Sequence, residues 1–183
     1  MKVSVYVAVS LDGFIAGENG ELDWLPGSSG DIGGKEDYGY TVFFESVDTL
    51  VMGRKTYDFV LSFDKWPYGR KRVIVLSSTL RDLPDGLPDT VELQSGTPVE
   101  LYRRLECSGA RHIYVDGGQT IQGFLGAGLI DEITITRIPI LLGNGISLFG
   151  PLKKHTRLRH LETREYNDGL VQSRYATRPV GSR

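Results

Sequence analysis

Four short apolar runs most constrain what this chain can become. Val3 to Val9, Leu50 to Met52, Val73 to Leu76 and Ile113 to Val115 read as continuous apolar, β-rich stretches rather than as alternating ones. Strands of that kind are buried on both faces, the habit of a parallel sheet. Helical patterns fall between them. Tyr40, Phe43, Phe44 and Val47 recur at i, i+3, i+4 and i+7, one helical stripe. Thr97-Pro98 opens a second helix, with Pro98 suited to its first turn and Gly109 following its end. Gly117-Gly118 opens a third, which carries Ile121, Phe124 and Leu125.

After Leu129 the texture changes. Ile133-Thr134-Ile135-Thr136 alternates, Ile138 to Leu142 is apolar, and Pro139 within it predicts an edge or a bulge. Residues 157–177 read as two strands around the hairpin signal Asn167-Asp168-Gly169. The expected architecture is one α/β domain over 1–177, with a mainly parallel centre and antiparallel C-terminal strands. Residues 178–183 read as a frayed tail.

The chain has 183 residues, enough for a single domain that buries roughly 70% of its unfolded surface. A net charge of −2 argues against a general nucleic-acid or anionic-membrane footprint, though a local anion site needs only a few groups. No apolar run approaches a membrane span, and KVSVYVAVS leads into Leu11-Asp12-Gly13 rather than a cleavage site. A cytoplasmic location is the expectation. The lone Cys107 has no disulfide partner, and His112, His155 and His160 fit no metal-ligand spacing.

Three strand ends carry chemistry. Gly53-Arg54-Lys55-Thr56 places a glycine, two cations and a hydroxyl behind an apolar strand. Glycine admits close approach of a ligand, a following helix aims N–H groups at an anion, and Arg54 can grip phosphate in a fork. A solvated strand exit reads the same way. Leu76-Ser77-Ser78-Thr79 offers three hydroxyls to an anion, or a cap to a turn. Asp116-Gly117-Gly118-Gln119-Thr120 is strand, paired glycines, helix: a pyrophosphate cradle or a tight turn, and neither a P-loop nor the dinucleotide fingerprint. In open α/β sheets ligands bind at the carboxyl ends of strands, where all three sit.

With these segments in view, the chain resembles the dihydrofolate reductase superfamily, in its riboflavin-pathway deaminase–reductase branch (RibD C-terminal-like). Ala8 to Ala16 resembles the first strand and loop of that family. GRKTY, VLSST and DGGQTIQGFL resemble its three cofactor segments in order, and PILLGNGISLF is similar to the deaminase–reductase branch. The resemblance implies a three-layer dihydrofolate reductase-like fold that binds NADPH. It places Ala8 and Ile15 beside the nicotinamide, Gly53, Arg54, Lys55 and Thr56 on the phosphates, and Ser77 and Ser78 by the adenosine 2′-phosphate, with Leu76 also cofactor-binding. Gly117, Gly118, Gln119 and Thr120 would hold the pyrophosphate. Ile121, also expected to bind the cofactor, stands where many dihydrofolate reductases have tyrosine, a departure that would loosen the nicotinamide pocket. If Arg54 meets the 2′-phosphate, NADPH outbinds NADH by about ten- to a hundredfold, the worth of one charged hydrogen bond. The resemblance also implies a homodimer.

Reduction of a C=N or C=O group needs a proton beside the hydride. Asp37, at the start of the aromatic helix, is the candidate catalytic or substrate-binding carboxylate, at the offset the resemblance implies; a helix cap is its other reading. Tyr38 and Thr41, beside it, are candidate substrate-binding residues, and Trp24 is a candidate substrate-binding cover for the cleft. Asp12 reads as a turn residue. Residues 26–34 are Gly- and Ser-rich and read as a lid or as slack. Gly69-Arg70-Lys71-Arg72 reads as an anion anchor or as a solvated strand start. The functional expectation is an NADPH-dependent reductase of a small nitrogen heterocycle, pterin-like or a pyrimidine of the riboflavin pathway. The rival classes are a dinucleotide-binding module without turnover and a nucleotide or phosphosugar binder.

Overall fold

The computed structural model describes residues 1–26, 36–152 and 155–177. The first half runs β1 (Lys2–Ser10), β2 (Phe14–Ala16), α1 (Tyr40–Ser46), β3 (Thr49–Gly53), α2 (Arg54–Val60), β4 (Arg72–Leu76) and β5 (Val91–Gln94). The second runs α3 (Pro98–Cys107), β6 (His112–Asp116), α4 (Gly118–Gly126), β7 (Glu132–Ile138), β8 (Ile146–Ser147), β9 (Arg159–Glu165) and β10 (Val171–Ala176). Eight strands form one sheet in the order β5-β4-β3-β6-β1-β7-β10-β9, and β2 pairs with β8 apart from it.

The apolar runs are parallel, as their patterning requires: β4 with β3, β3 with β6, β6 with β1, and β1 with β7. Within this sheet only β10 and β9 run antiparallel. Helices cover both faces, giving three layers. On one, Leu101 and Leu105 of α3 and Ile121 and Phe124 of α4 pack on Val3, Val5, Val51, Ile113 and Val115. On the other, Tyr57 of α2 and the α1 stripe of Tyr40, Phe43 and Phe44 pack on Leu50, Met52, Val73, Val75 and Tyr114.

Register sets the chemistry at one level. Gly53 stands opposite Leu76, and Met52 opposite Asp116, so the three strand-end turns leave the sheet side by side.

Two expectations change, and three short strands join those read from the sequence. Pro139 marks neither an edge nor a bulge: β7 stops at Ile138, and 139–145 is an irregular loop. The short β2, β5 and β8 carry too few alternating or apolar residues to announce themselves. The Gly69–Arg72 cations serve the fold. Lys71 donates to Phe44 O at 2.8 Å and Val47 O at 2.6 Å, Arg72 pairs with Glu92 at 2.7 Å, and Arg70 pairs with Asp89 at 3.1 Å. Among the described residues no helix is long and apolar enough to cross a membrane, and no group of metal-type side chains gathers.

Candidate active site

The turn after β3 and the turn after β6 are in direct contact. A Cβ on Gly53 would stand 2.6 Å from Thr120 Oγ1, and one on Gly117 would collide with Thr56 Oγ1. Each turn thus accepts the other's threonine where it has a glycine. Gly117 also has φ +86°, in the left-handed region that favours glycine. The turn after β4 joins the same cluster, because Arg54 Nη1 donates to Thr79 Oγ1 at 3.3 Å while its Nε pairs with Asp58 at 3.2 Å. These two partners hold an exposed guanidinium over the strand ends.

The helix starts differ in a telling way. At α3 the Thr97 hydroxyl and the Glu100 carboxylate cap each other's backbone N–H groups. At α4 the cap position is Gly117 and no side chain satisfies the first turn. That start lies against the Gly53–Thr56 turn, and the positive dipole end of a helix suits an anion. Gln119 is exposed and Thr120 buried. Lys55 is exposed on the first turn of α2 and Thr56 is half-buried. Ser77 takes the capping role, accepting from Thr79 N at 3.2 Å and Leu80 N at 3.0 Å, whereas Ser78 is exposed. Leu76 is half-buried at the strand end.

Gly118 is the meeting point with the start of the chain. A Cβ there would stand 2.8 Å from Ile15 Cδ1 and 3.5 Å from Ile146 Cγ2. Half-buried Ala8 lies near the carboxyl end of β1. Ile121 is a correction. Its side chain is wholly buried in the core and its N–H is spent on Gly117 O at 2.9 Å, so it offers a ligand nothing.

On the α1 face the site is lined with tyrosines. Tyr6 stacks on Phe43 at 4.6 Å and meets Tyr40 edge-on at 5.9 Å. Asp116 shares this face with Tyr114, at the end of β6. Burial raises its pKa above the ordinary carboxylate range, against the lowering effect of the Gly117 N–H at 2.8 Å and the Tyr114 hydroxyl. Tyr40 and Tyr68 are pushed up by burial first and then by the nearby Asp116 charge. Sequence reasoning saw Asp116 only as the lead-in to paired glycines. The available signal was an acid closing an otherwise apolar strand.

Asp37 adopts its capping reading. It accepts Gly39 N at 2.8 Å and Thr41 N at 2.9 Å in the turn that opens α1. The Thr41 hydroxyl, then the Thr41 and Gly39 amides, hold its pKa below the usual range, so it stays ionised. Tyr38 turns away from the role expected of it. Its ring packs edge-on against Tyr166 at 5.0 Å and its hydroxyl donates to Asp168 at 2.5 Å, a bond that pushes its pKa up to about 12. The side chain is committed to the β9–β10 hairpin. Trp24 donates to Glu21 O at 3.2 Å within its own loop. Of the expected lid, 27–34 lies outside the described residues.

The model of the RibD C-terminal domain matches residues 1–172. The chain belongs to that family. It is similar to a crystal structure of a Shewanella sp. PV-4 protein named as a candidate riboflavin biosynthesis protein, at 44% identity and a TM-score of 0.89, over 98% of this chain and 100% of that one. The uncharacterized protein YwjB of Bacillus subtilis (strain 168) is 35% identical over 92% of this chain and 94% of its own. Dihydrofolate reductase of Enterococcus faecalis, solved in complex with NADP(H), shares the fold at 18% identity and a TM-score of 0.65, over 97% of each chain. The family is reductase-like and its fold is that of dihydrofolate reductase.

Proposed function

We propose that this chain is an NADPH-dependent reductase of a small, planar nitrogen heterocycle. The observation that carries the reading is the junction of the Gly53 and Gly117 turns. It sets the start of α4, whose cap position is a glycine, against the Gly53–Thr56 turn that carries Arg54. In this reading the Gly118, Gln119 and Thr120 amides hold the pyrophosphate. Arg54, Lys55, Thr56 and Ser78 hold the remaining phosphate, and Ala8 and Ile15 border the nicotinamide. The residues present fit NADPH in charge and in close backbone approach. When bound, the cofactor supplies the hydride.

The chain's own groups supply the proton. Asp116, whose pKa burial raises, is the better donor; Asp37, whose pKa its caps lower, is the better acceptor for ring N–H groups. Separating an acid and a base by environment is how two carboxyls divide such work.

The test is a titration of wild type and Arg54→Ala with NADPH and NADH, then a panel of pterins and pyrimidines followed by absorbance of the reduced nicotinamide. A preference for NADPH of about tenfold or more, lost in Arg54→Ala, is expected. Equal binding of both cofactors with a silent mutation overturns the phosphate assignment. Binding without consumption across the panel favours a module without turnover.

A further inference from the structure

The wall of the cradle nearest Ile15 is held by an unusual latch. β2 and β8 are three and two residues long, too short to be stable as a free pair. Gln122 of α4 fixes the inner side by donating to Ser147 O at 2.9 Å, and Leu148 N donates to Gly13 O at 3.1 Å. The outer side is fixed by Asp12. One of its oxygens accepts Ser10 Oγ at 2.6 Å and Leu142 N at 3.2 Å, and the other accepts Gly143 N at 2.8 Å. Ser10, fully buried, in turn accepts Phe14 N at 2.9 Å, the first residue of β2. The chain of contacts therefore runs from the 139–145 loop through Asp12 and Ser10 to β2, and through Ile15 to Gly118. The same loop is tied to the far end of the β2 segment by the Asn144 amide on Glu18.

We propose that Asp12 is a positioning residue for the cofactor cradle, latching the 139–145 loop to the β1–β2 turn and so fixing where Ile15 and Ile146 press on Gly118. This role rests on the NADPH reading of that cradle. It gives a physical purpose to the Pro139–Phe149 segment, whose loop presents backbone N–H groups to a carboxylate far away in sequence. An ionised carboxylate is what the latch requires. The Ser10 hydroxyl first, working against desolvation, and then the Gly143 and Leu142 amides keep Asp12 below the ordinary carboxylate range.

Asp12→Asn tests it, because the shape is kept while an acceptor facing Gly143 N–H or Leu142 N–H becomes a donor. Two probes separate the halves of the site: NADPH, and adenosine 2′,5′-diphosphate, which lacks the nicotinamide. The expected result is an NADPH Kd raised about tenfold, the worth of one charge-assisted hydrogen bond, with the Kd of the diphosphate changed less than about twofold. Faster hydrogen exchange at the Leu142 and Gly143 amides, with the melting temperature nearly unchanged, is expected alongside. Equal weakening of both probes, unaltered NADPH binding, or unaltered exchange overturns the positioning role alone. A wild-type chain that binds neither probe overturns the cofactor reading and the latch's purpose with it.

Discussion

Thr120 Oγ1 fills the space beside Gly53 that a side chain would need, 2.6 Å from where a Cβ would stand. The two residues belong to different turns, so this contact is what makes the turns one site. Gly53 itself has an ordinary extended backbone, φ −82°, which isolates the packing effect from backbone strain. Gly53→Ala is expected to destabilise the fold by about 1–3 kcal/mol through overpacking, and Thr120→Ala by less. The double variant should recover much of the loss, a coupling of about 0.5–3 kcal/mol in a denaturant double-mutant cycle. Simple additivity would show that the two turns do not press on each other.

Asp116→Asn is expected to lose activity and gain stability, a combination typical of a group placed for chemistry. General acid catalysis is worth roughly 10²–10⁴ in rate, so kcat should fall within that range if Asp116 delivers the proton. For stability the sign follows from the raised pKa: the folded chain binds this proton more tightly than the unfolded chain does. Wild type therefore loses stability as pH rises from about 4 through the raised folded value. The asparagine variant escapes that loss. Melting curves of the two should coincide in acid and separate towards neutral pH, with the variant higher. A variant less stable at neutral pH would mean that the carboxylate is favourably bound.

Much of the fold was legible in the sequence, as was the grouping of the three strand-end turns, because both rest on local rules. Val73–Leu76 and Ile113–Val115 had to be buried on both faces, and the Thr97-Pro98 start had to be a cap. What escaped depends on contacts between distant segments. Asp12 looked like a turn residue because its partners, Leu142 and Gly143, are far along the chain. Tyr38 sits beside Asp37 in sequence, yet its left-handed backbone, φ 56°, sends the side chain to Asp168. The offset of Asp37 from Gly53 was readable, but its protonation state was not, since that is set by hydrogen bonds and burial.

Asp48 should mark the acid limit of the fold. Its carboxylate accepts Arg111 N and His112 N, each at 2.8 Å, and so ties the β3 start to the β6 start. Burial works against its charge, but the His112 amide, the Thr49 hydroxyl and the Arg111 amide outweigh it and leave the pKa lowered. A depressed folded pKa contributes stability above the unfolded value that fades as pH falls through the folded one. Asp48→Asn should cost about 1 kcal/mol at neutral pH, because the carboxylate is exposed to solvent. The gap between wild type and variant, read from urea unfolding, should narrow below about pH 4.

Gln172 holds the approach to α1 from beneath. It is 9% exposed, and its Nε2 lies 2.9 Å from the Tyr6 hydroxyl, 3.0 Å from Tyr38 O and 2.9 Å from Thr136 Oγ1. Tyr38 O also accepts the Tyr6 hydroxyl at 2.5 Å and the Tyr166 hydroxyl at 3.2 Å. This carbonyl is the hub on which the strained Tyr38 rests, one residue from Asp37. Gln172→Leu keeps the volume roughly but strips donors from a buried network, so a loss of about 2–4 kcal/mol is expected. Relaxation at Tyr38 should displace Asp37 as well. On the proposed reductase reading, the KM for a reducible heterocycle should therefore rise more than the KM for NADPH, whose proposed cradle lies on other loops. Equal rises in both constants would show that the hub stabilises the fold without positioning Asp37.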